Sequence, residues 1–187
     1  MPMIDIRPLP RFDAPAFVAI SGGYTTTEIY RMTRSESDAQ TSFTLTLEQL
    51  PAPEEFRFPF PDDDLERYSE LVPNEYCLGA YDGETLVGVA LGEPRQWNNV
   101  LWVWEFHVAP AYQRRGIGRQ LMATLAERAR ATGFRALVLE AQNTNVPAIR
   151  FYRRAGFAIE GVDISYYTNE DLLPGRNMAV FMKLRLE

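Results

Sequence analysis

Residues 113–122 read QRRGIGRQLM, two arginines running into Gly-Ile-Gly and then into a segment whose apolar residues Ile117, Leu121, Leu125 and Ala129 recur every fourth position. That spacing puts the four on one face of a helix and marks the face as buried. The helix is expected to stop at Gly133, which can take a left-handed cap, and RALVLEA (135–141) reads as the strand after it. Upstream, NNVLWVWEFHVA (98–109) reads as a strand that ends at Pro110. The unit is therefore strand, glycine-rich loop, helix, strand. Unpaired N–H groups at a helix start form an anion site, and glycines let a phosphate approach the backbone with no Cβ in the way. A nucleotide-binding P-loop would need Lys-Ser or Lys-Thr after the second glycine, and a dinucleotide fingerprint a third glycine; Arg119, Gln120 and Leu121 stand there instead. A bare Gly-x-Gly also fits a plain helix start.

Outward from this stretch the chain reads as one domain over 1–187, with a regular core over 73–187 and a less regular segment over 1–72. EYCLGAY (75–81) and TLVGVALGE (85–93) flank the turn pair Asp82-Gly83 and predict a hairpin. Before residue 72, MIDIRPL (3–9), YTTTEIYRM (24–32) and FTLTLEQL (43–50) read as strands, and PAPEEFRFPFP (51–61) as a proline-punctuated loop. Asp62, Asp63 and Asp64 sit where a short helix to Leu71 can begin, since carboxylates favour the positive end of a helix dipole.

Composition bounds the chemistry. The 187 residues are 46% hydrophobic, enough for a real core, and carry a net charge of −6. An acidic chain argues against nucleic acid or an anionic membrane as partner and favours a cationic or neutral one. The single cysteine, Cys77, excludes an internal disulfide, and the single histidine, His107, gives no recognisable metal site. The start MPMIDIRPLP has neither the basic residues nor the apolar run of a signal peptide, so a cytoplasmic location is expected.

The segment EAQNTNVPAIRFYRRAGF (140–157) resolves the loop's ambiguity. It places Asn145 before Pro147 at a helix start, Tyr152 within the helix and Gly156-Phe157 at its end. VAPAYQRRGIG (108–118) and NTNVPAIRFYRRAGF (143–157), in that order and separation, resemble the GNAT superfamily of acetyl-CoA-dependent N-acetyltransferases. The resemblance covers residues 76–187 closely and the first 70 weakly. LEAQNTNVPAIRFYRRAGF with EGVDISYYTN and NMAVFMKLRL is most similar to streptothricin acetyltransferases, and ribosomal-protein N-terminal acetyltransferases come second.

The resemblance implies an α/β (α+β) fold with a mixed, mostly antiparallel central sheet splayed around the CoA site and helices on both faces. It implies acetyl-CoA as cosubstrate and no metal. The backbone of Arg114, Arg115, Gly116, Ile117, Gly118 and Arg119, assisted by Gln113, would bind the pyrophosphate. The preceding strand would carry a bulge, and its backbone at Phe106, His107 and Val108 would hold the pantetheine arm, with the Val108 N–H at the thioester carbonyl. The His107 side chain itself reads as a polar strand or core residue. Asn145, Ala148 and Tyr152 would contact the cofactor from the later helix, where Asn145 equally reads as a helix cap.

Acetyl transfer to an amine needs a base for the ammonium, stabilisation of an oxyanion and a proton for the leaving thiolate. Tyr152 matches the family's general acid, and a phenol with a pKa of about 10 can protonate a thiolate. Glu105 and Glu140 compete for the base. Trp102, Trp104, Glu105 and Tyr166 are the candidate acceptor-binding residues, because aromatic faces and carboxylates attract cations; Trp97, in the turn before the strand, joins them, and the acidic run from Asp62 to Glu66 could draw a polyamine-like acceptor. The function implied is acetylation of a primary amine, first a small cationic one such as the β-lysine group of streptothricin. A protein N-terminus or lysine is the alternative within the class, and a non-catalytic acyl-CoA-binding regulatory module the alternative outside it. The strands before residue 72 would shape a private acceptor pocket or pair across a homodimer.

Overall fold

The computed structural model describes residues 4–186, so Met3, the second residue short of the first strand, lies outside the described residues. The elements run β1 (Asp5–Pro8), α1 (Ala14–Ile20), β2 (Tyr24–Glu36), β3 (Thr41–Phe56), α2 (Asp62–Leu71), β4 (Cys77–Asp82), β5 (Thr85–Arg95), β6 (Val100–Val108), α3 (Ile117–Ala131), β7 (Ala136–Gln142), α4 (Val146–Arg154), β8 (Ala158–Asp163) and β9 (Ala179–Arg185). They form two compact units through which the chain passes more than once.

The first unit takes the chain to Gly23, Arg57–Leu139 and the residues from Lys183 on. Its strands lie in the order β1-β4-β5-β6-β7. All pairs are antiparallel except β6 with β7, whose parallel register runs from Val100↔Ala136 to Val103↔Leu139. A mixed, mostly antiparallel sheet is therefore present. Helices cover both faces: Phe17 and Ile20 of α1 and Tyr68 of α2 pack with Cys77, Val89 and Leu91, whereas Ile117 of α3 packs with Ala80 and Val87. Leu121, Leu125 and Ala129, the periodic residues of α3, are fully buried. The helix ends where its glycine predicts: Gly133 has φ +83°, its N–H donates to Arg130, and the Phe134 N–H donates to Ala129. These two bonds satisfy carbonyls that a bare helix end would leave unpaired.

The β4–β5 hairpin forms as expected, with a shift of one residue in its turn. Asp82 pairs with Thr85, so Gly83 and Glu84 are the turn centre, and Gly83 takes the positive φ of +60°. The β5–β6 ladder pairs Leu91 with Glu105 and Gly92 with Val103, which leaves Trp104 as the extra residue of a bulge.

The second unit comprises Tyr24–Phe56 and Glu140–Met182. Here β9 lies between β7 and β8, and β2 pairs with β3 in a separate two-stranded sheet. Strand β3 corrects the loop expected at 51–61, because it continues through Pro51 and Pro53 to Phe56. The prolines are tolerated since the register jumps from Glu28↔Gln49 to Thr26↔Glu54, and residues 50–53 fall in that irregularity where no ladder donor is required. Residues 57–61 are outside regular structure, as the proline pattern predicts.

Candidate functional site

In the first unit, strand β6 delivers the chain to the glycine-rich loop. The Ala109 N–H donates to Val87, so residues 107 and 109 direct their backbone groups at β5, and by strand alternation Phe106 and Val108 direct theirs at the opposite edge. That is the edge on which β7 pairs as far as Val103. The Val108 carbonyl there accepts a hydrogen bond from Gln113 Nε2 at 3.0 Å, which ties the loop to the strand.

The loop is held open by backbone conformations few residues accept. Arg114 has φ +60° and Gly116, the residue before α3, φ +84°. A Cβ placed on Gly116 would meet nothing within 4 Å, so it is the backbone conformation, and not crowding, that calls for glycine there. Ile117, 3% exposed, anchors the first turn, and the Gln120 N–H closes the first helical bond onto Gly116. The N–H groups of Ile117, Gly118 and Arg119 precede that bond and have no acceptor within the helix. Arg115 lies over the Tyr112 ring at 4.9 Å, and the Tyr112 hydroxyl donates to Asp82.

Beyond the bulge, Glu105 and His107 share one face of β6. His107 Nε2 lies 2.6 Å from Glu105 Oε2, and Oε1 of the same carboxylate accepts from the Tyr68 hydroxyl at 2.5 Å. Burial, then the Glu105 charge, pushes the Tyr68 phenol well above its ordinary value. Trp102 and Trp104 stand side by side, ring centroids 5.6 Å apart. Trp104 already has cations of its own: Arg67 sits 4.0 Å from its ring and Arg95 5.3 Å, while its Nε1 donates to Glu93. Trp97 is 85% exposed, and the acidic run occupies the first turn of α2, where Asp64 pairs with Arg67.

In the second unit, α4 is built as its sequence predicts. Asn145 caps it, accepting from the Ala148 N–H at 3.2 Å, so two candidate cofactor residues are joined by one bond. Tyr152 follows one turn later, packed against Phe157 at 5.6 Å. Asn143 pins the turn before the helix: its side chain donates to the Tyr30 carbonyl and accepts from the Met178 N–H. Glu140 accepts from the Tyr167 hydroxyl, and burial followed by the Glu140 charge drives that phenol's pKa up. The Tyr24 hydroxyl donates to Gln142 at 2.7 Å and lies 2.6 Å from the Thr144 hydroxyl, and its ring stacks on Phe56. Tyr166, half exposed, packs edge-on against Tyr167 and Phe181.

Each candidate base thus carries a tyrosine. Tyr24 and Tyr68 were read only as parts of a strand and a short helix, and no local pattern marks them. Tyr167, beside the singled-out Tyr166, is the residue of that pair that reaches Glu140. Among the described residues no group of three or more His, Cys, Asp or Glu side chains is placed to hold a metal ion, and no helix is long and apolar enough to cross a membrane.

Comparison with known proteins bears on what this arrangement does. The sequence profile described as the Acetyltransferase (GNAT) family matches residues 42–157. A streptothricin acetyltransferase of Streptomyces lavendulae is 34% identical over 161 residues, which cover 83% of this chain and 82% of that protein. The N-alpha-acetyltransferase RimI of Mycobacterium tuberculosis is 39% identical over 98 residues, covering 51% of this chain and 60% of the relative. Among solved structures, a nourseothricin acetyltransferase superposes with a TM-score of 0.77 at 30% identity, covering 98% of this chain and 99% of the other.

Proposed function

The chain belongs to the acetyltransferase (GNAT) family, and from that premise we propose that it transfers the acetyl group of acetyl-CoA to the primary amine of a small cationic acceptor of the streptothricin type. The observation that carries the acceptor class is the degree of the likeness: a nourseothricin acetyltransferase superposes on 98% of the chain at a TM-score of 0.77 and 30% identity, and a streptothricin acetyltransferase is 34% identical over 83% of it. A ribosomal-protein-S18-alanine N-acetyltransferase covers 99% of the chain as well, but at a TM-score of 0.66 and 22% identity, a likeness of fold alone.

The residues present fit the cosubstrate. The unpaired N–H groups of Ile117, Gly118 and Arg119 and the positive-φ turn through Arg114 and Gly116 form a cradle for a pyrophosphate, and the Arg115 charge stands beside it. Phe106 and the Val108 N–H lie along the edge of β6 turned away from β5, where a pantetheine arm would pair like an added strand. On α4, Asn145 and Ala148, joined by the capping bond, are the further residues assigned to the cofactor, and Tyr152 is assigned as the proton donor that the leaving thiolate needs.

For the acceptor, Glu140 with the rings of Tyr24, Tyr166 and Tyr167 provides negative charge beside aromatic faces, a combination that holds an ammonium group. Trp102 and Trp104 contribute shape more than cation binding, since Trp104 is engaged by Arg67.

The reading is tested by incubating the purified protein with acetyl-CoA and a panel of amines, following thiol release and the mass of the product. Streptothricin and related short diamines are expected to gain a single acetyl group faster than peptides with free N-termini. Preferential acetylation of the peptides moves the chain to the protein acetyltransferases. Tight acetyl-CoA binding without thiol release from any amine makes it a binding module.

A further inference from the structure

The only histidine of the chain is fixed more firmly than a surface strand residue needs to be. His107 and Glu105 are 11% and 16% exposed at their side chains. Phe17, Phe58 and Phe60 surround the imidazole with ring centroids 5.8, 5.3 and 6.2 Å away, all steeply inclined to it. The carboxylate of Glu105 has a donor on each oxygen, Tyr68 on Oε1 and His107 Nε2 on Oε2. Glu105 is therefore committed, whereas the ring whose Nε2–H it accepts is left with Nδ1 as a proton acceptor. The same carboxylate–imidazole arrangement orients a ring, selects its tautomer and stabilises the imidazolium that forms. The charged and titratable groups around it are Glu105 on β6, Tyr68 on α2 and, over the Tyr68 ring at 5.2 Å, Arg67. Its neighbours in sequence, Phe106 and Val108, carry the backbone groups of the cofactor edge.

We propose that His107 is the base that deprotonates the incoming amine, with Glu105 and Tyr68 as positioning residues. This rests on the acetyltransferase reading. Nδ1 takes one proton from the ammonium, and Glu105 balances the imidazolium. The amine nitrogen then bonds to the thioester carbonyl carbon. As the C–S bond breaks, the nitrogen sheds its second proton to water and the sulfur gains one from Tyr152, which is reprotonated from water. The imidazolium returns its proton to water, so each turnover releases one proton.

The test compares His107→Gln, Glu105→Gln and Tyr68→Phe, with acetyl-CoA affinity by calorimetry as the control for an intact fold. With an alkylammonium acceptor at neutral pH, His107→Gln is expected to lower kcat/KM by roughly 10² to 10³, Glu105→Gln by less, and Tyr68→Phe by about tenfold or less. The loss should shrink as pH rises toward the acceptor's own pKa, and with hydroxylamine, a weaker base that is mostly neutral at neutral pH. A residue that only packs would give the same loss with every acceptor. Wild-type kcat in His107→Gln under chemistry-limited conditions overturns the assignment, as does a loss independent of acceptor pKa. A larger defect in Glu105→Gln than in His107→Gln moves the base to Glu105. If His107→Gln no longer binds acetyl-CoA, Tyr68→Phe carries the same comparison, with a smaller loss of the same acceptor dependence. Failure of the wild-type chain to release thiol with any amine overturns the acetyltransferase reading and this assignment with it, whereas product formed unimpaired by the variants overturns this assignment alone.

Discussion

Tyr152 has two uses for one side chain. Its ring is 9% exposed and packs on Phe157, while its hydroxyl is the proposed donor to the leaving sulfur. Tyr152→Phe keeps the first and removes the second, so kcat should fall by about 10² to 10⁴ with acetyl-CoA affinity nearly unchanged. An acyl donor whose thiol has a much lower pKa needs less help, and the defect should shrink with it. A wild-type kcat when chemistry limits the rate would return Tyr152 to packing. Its position was legible because the spacing from Asn145 to Phe157 is local and shared with a family. Tyr68, bonded to Glu105, and Tyr24, bonded to Gln142 beside Thr144, were not legible as site residues. Tyr68 is 37 positions from Glu105 and Tyr24 is 120 from Thr144, and periodicity reports only neighbours along the chain.

At the scale of elements, α4 shows how a cap and a binding role can be separated. Asn145 accepts from the Ala148 N–H, and at the other end Gly156 (φ +98°) and the Phe157 N–H to Tyr152 bond close the helix. Asn145→Ala should cost about 1 kcal/mol, within a range of roughly 0.5–2, seen as a lower Tm. Asn145→Asp retains the acceptor and should restore Tm, yet both variants should bind acetyl-CoA more weakly, because the amide N–H is gone. Full affinity in both would confine Asn145 to capping. Capped, periodic elements such as α3, α4 and the β4–β5 hairpin were readable because each signals its own ends. Strand β3 was not read to its end, since Pro51 and Pro53 signal a loop. A two-stranded sheet with a register break places no donor requirement on them.

Across the whole molecule, buried acids set the pH limits of stability, and their shifts have a definite sign. Burial lifts the phenols of Tyr24, Tyr68 and Tyr167 well above their ordinary value, and pushes the Cys77 thiol up to about 11. Each holds its proton more tightly folded than unfolded. The stability they contribute is complete below the unfolded values, about 8.5 for a thiol and 10 for a phenol, and drains away as pH rises past them. Asp171 works in the opposite direction. Burial raises its pKa, but bonds from the Tyr167 N–H and from the Thr168 N–H and hydroxyl outweigh that and leave it lowered. Its contribution is present above the unfolded value of about 3.9 and lost as pH falls through the folded one. The urea midpoint should therefore be level near neutrality and decline from about pH 9 upward, with a separate acid limb below about pH 4. Tyr68→Phe should flatten the alkaline limb in proportion to the one hydroxyl removed, and Asp171→Asn should flatten the acid limb. A midpoint that stays level to about pH 10.5 would mean that the four groups ionise as readily folded as unfolded, and that the burial around them opens to water on the timescale of the measurement.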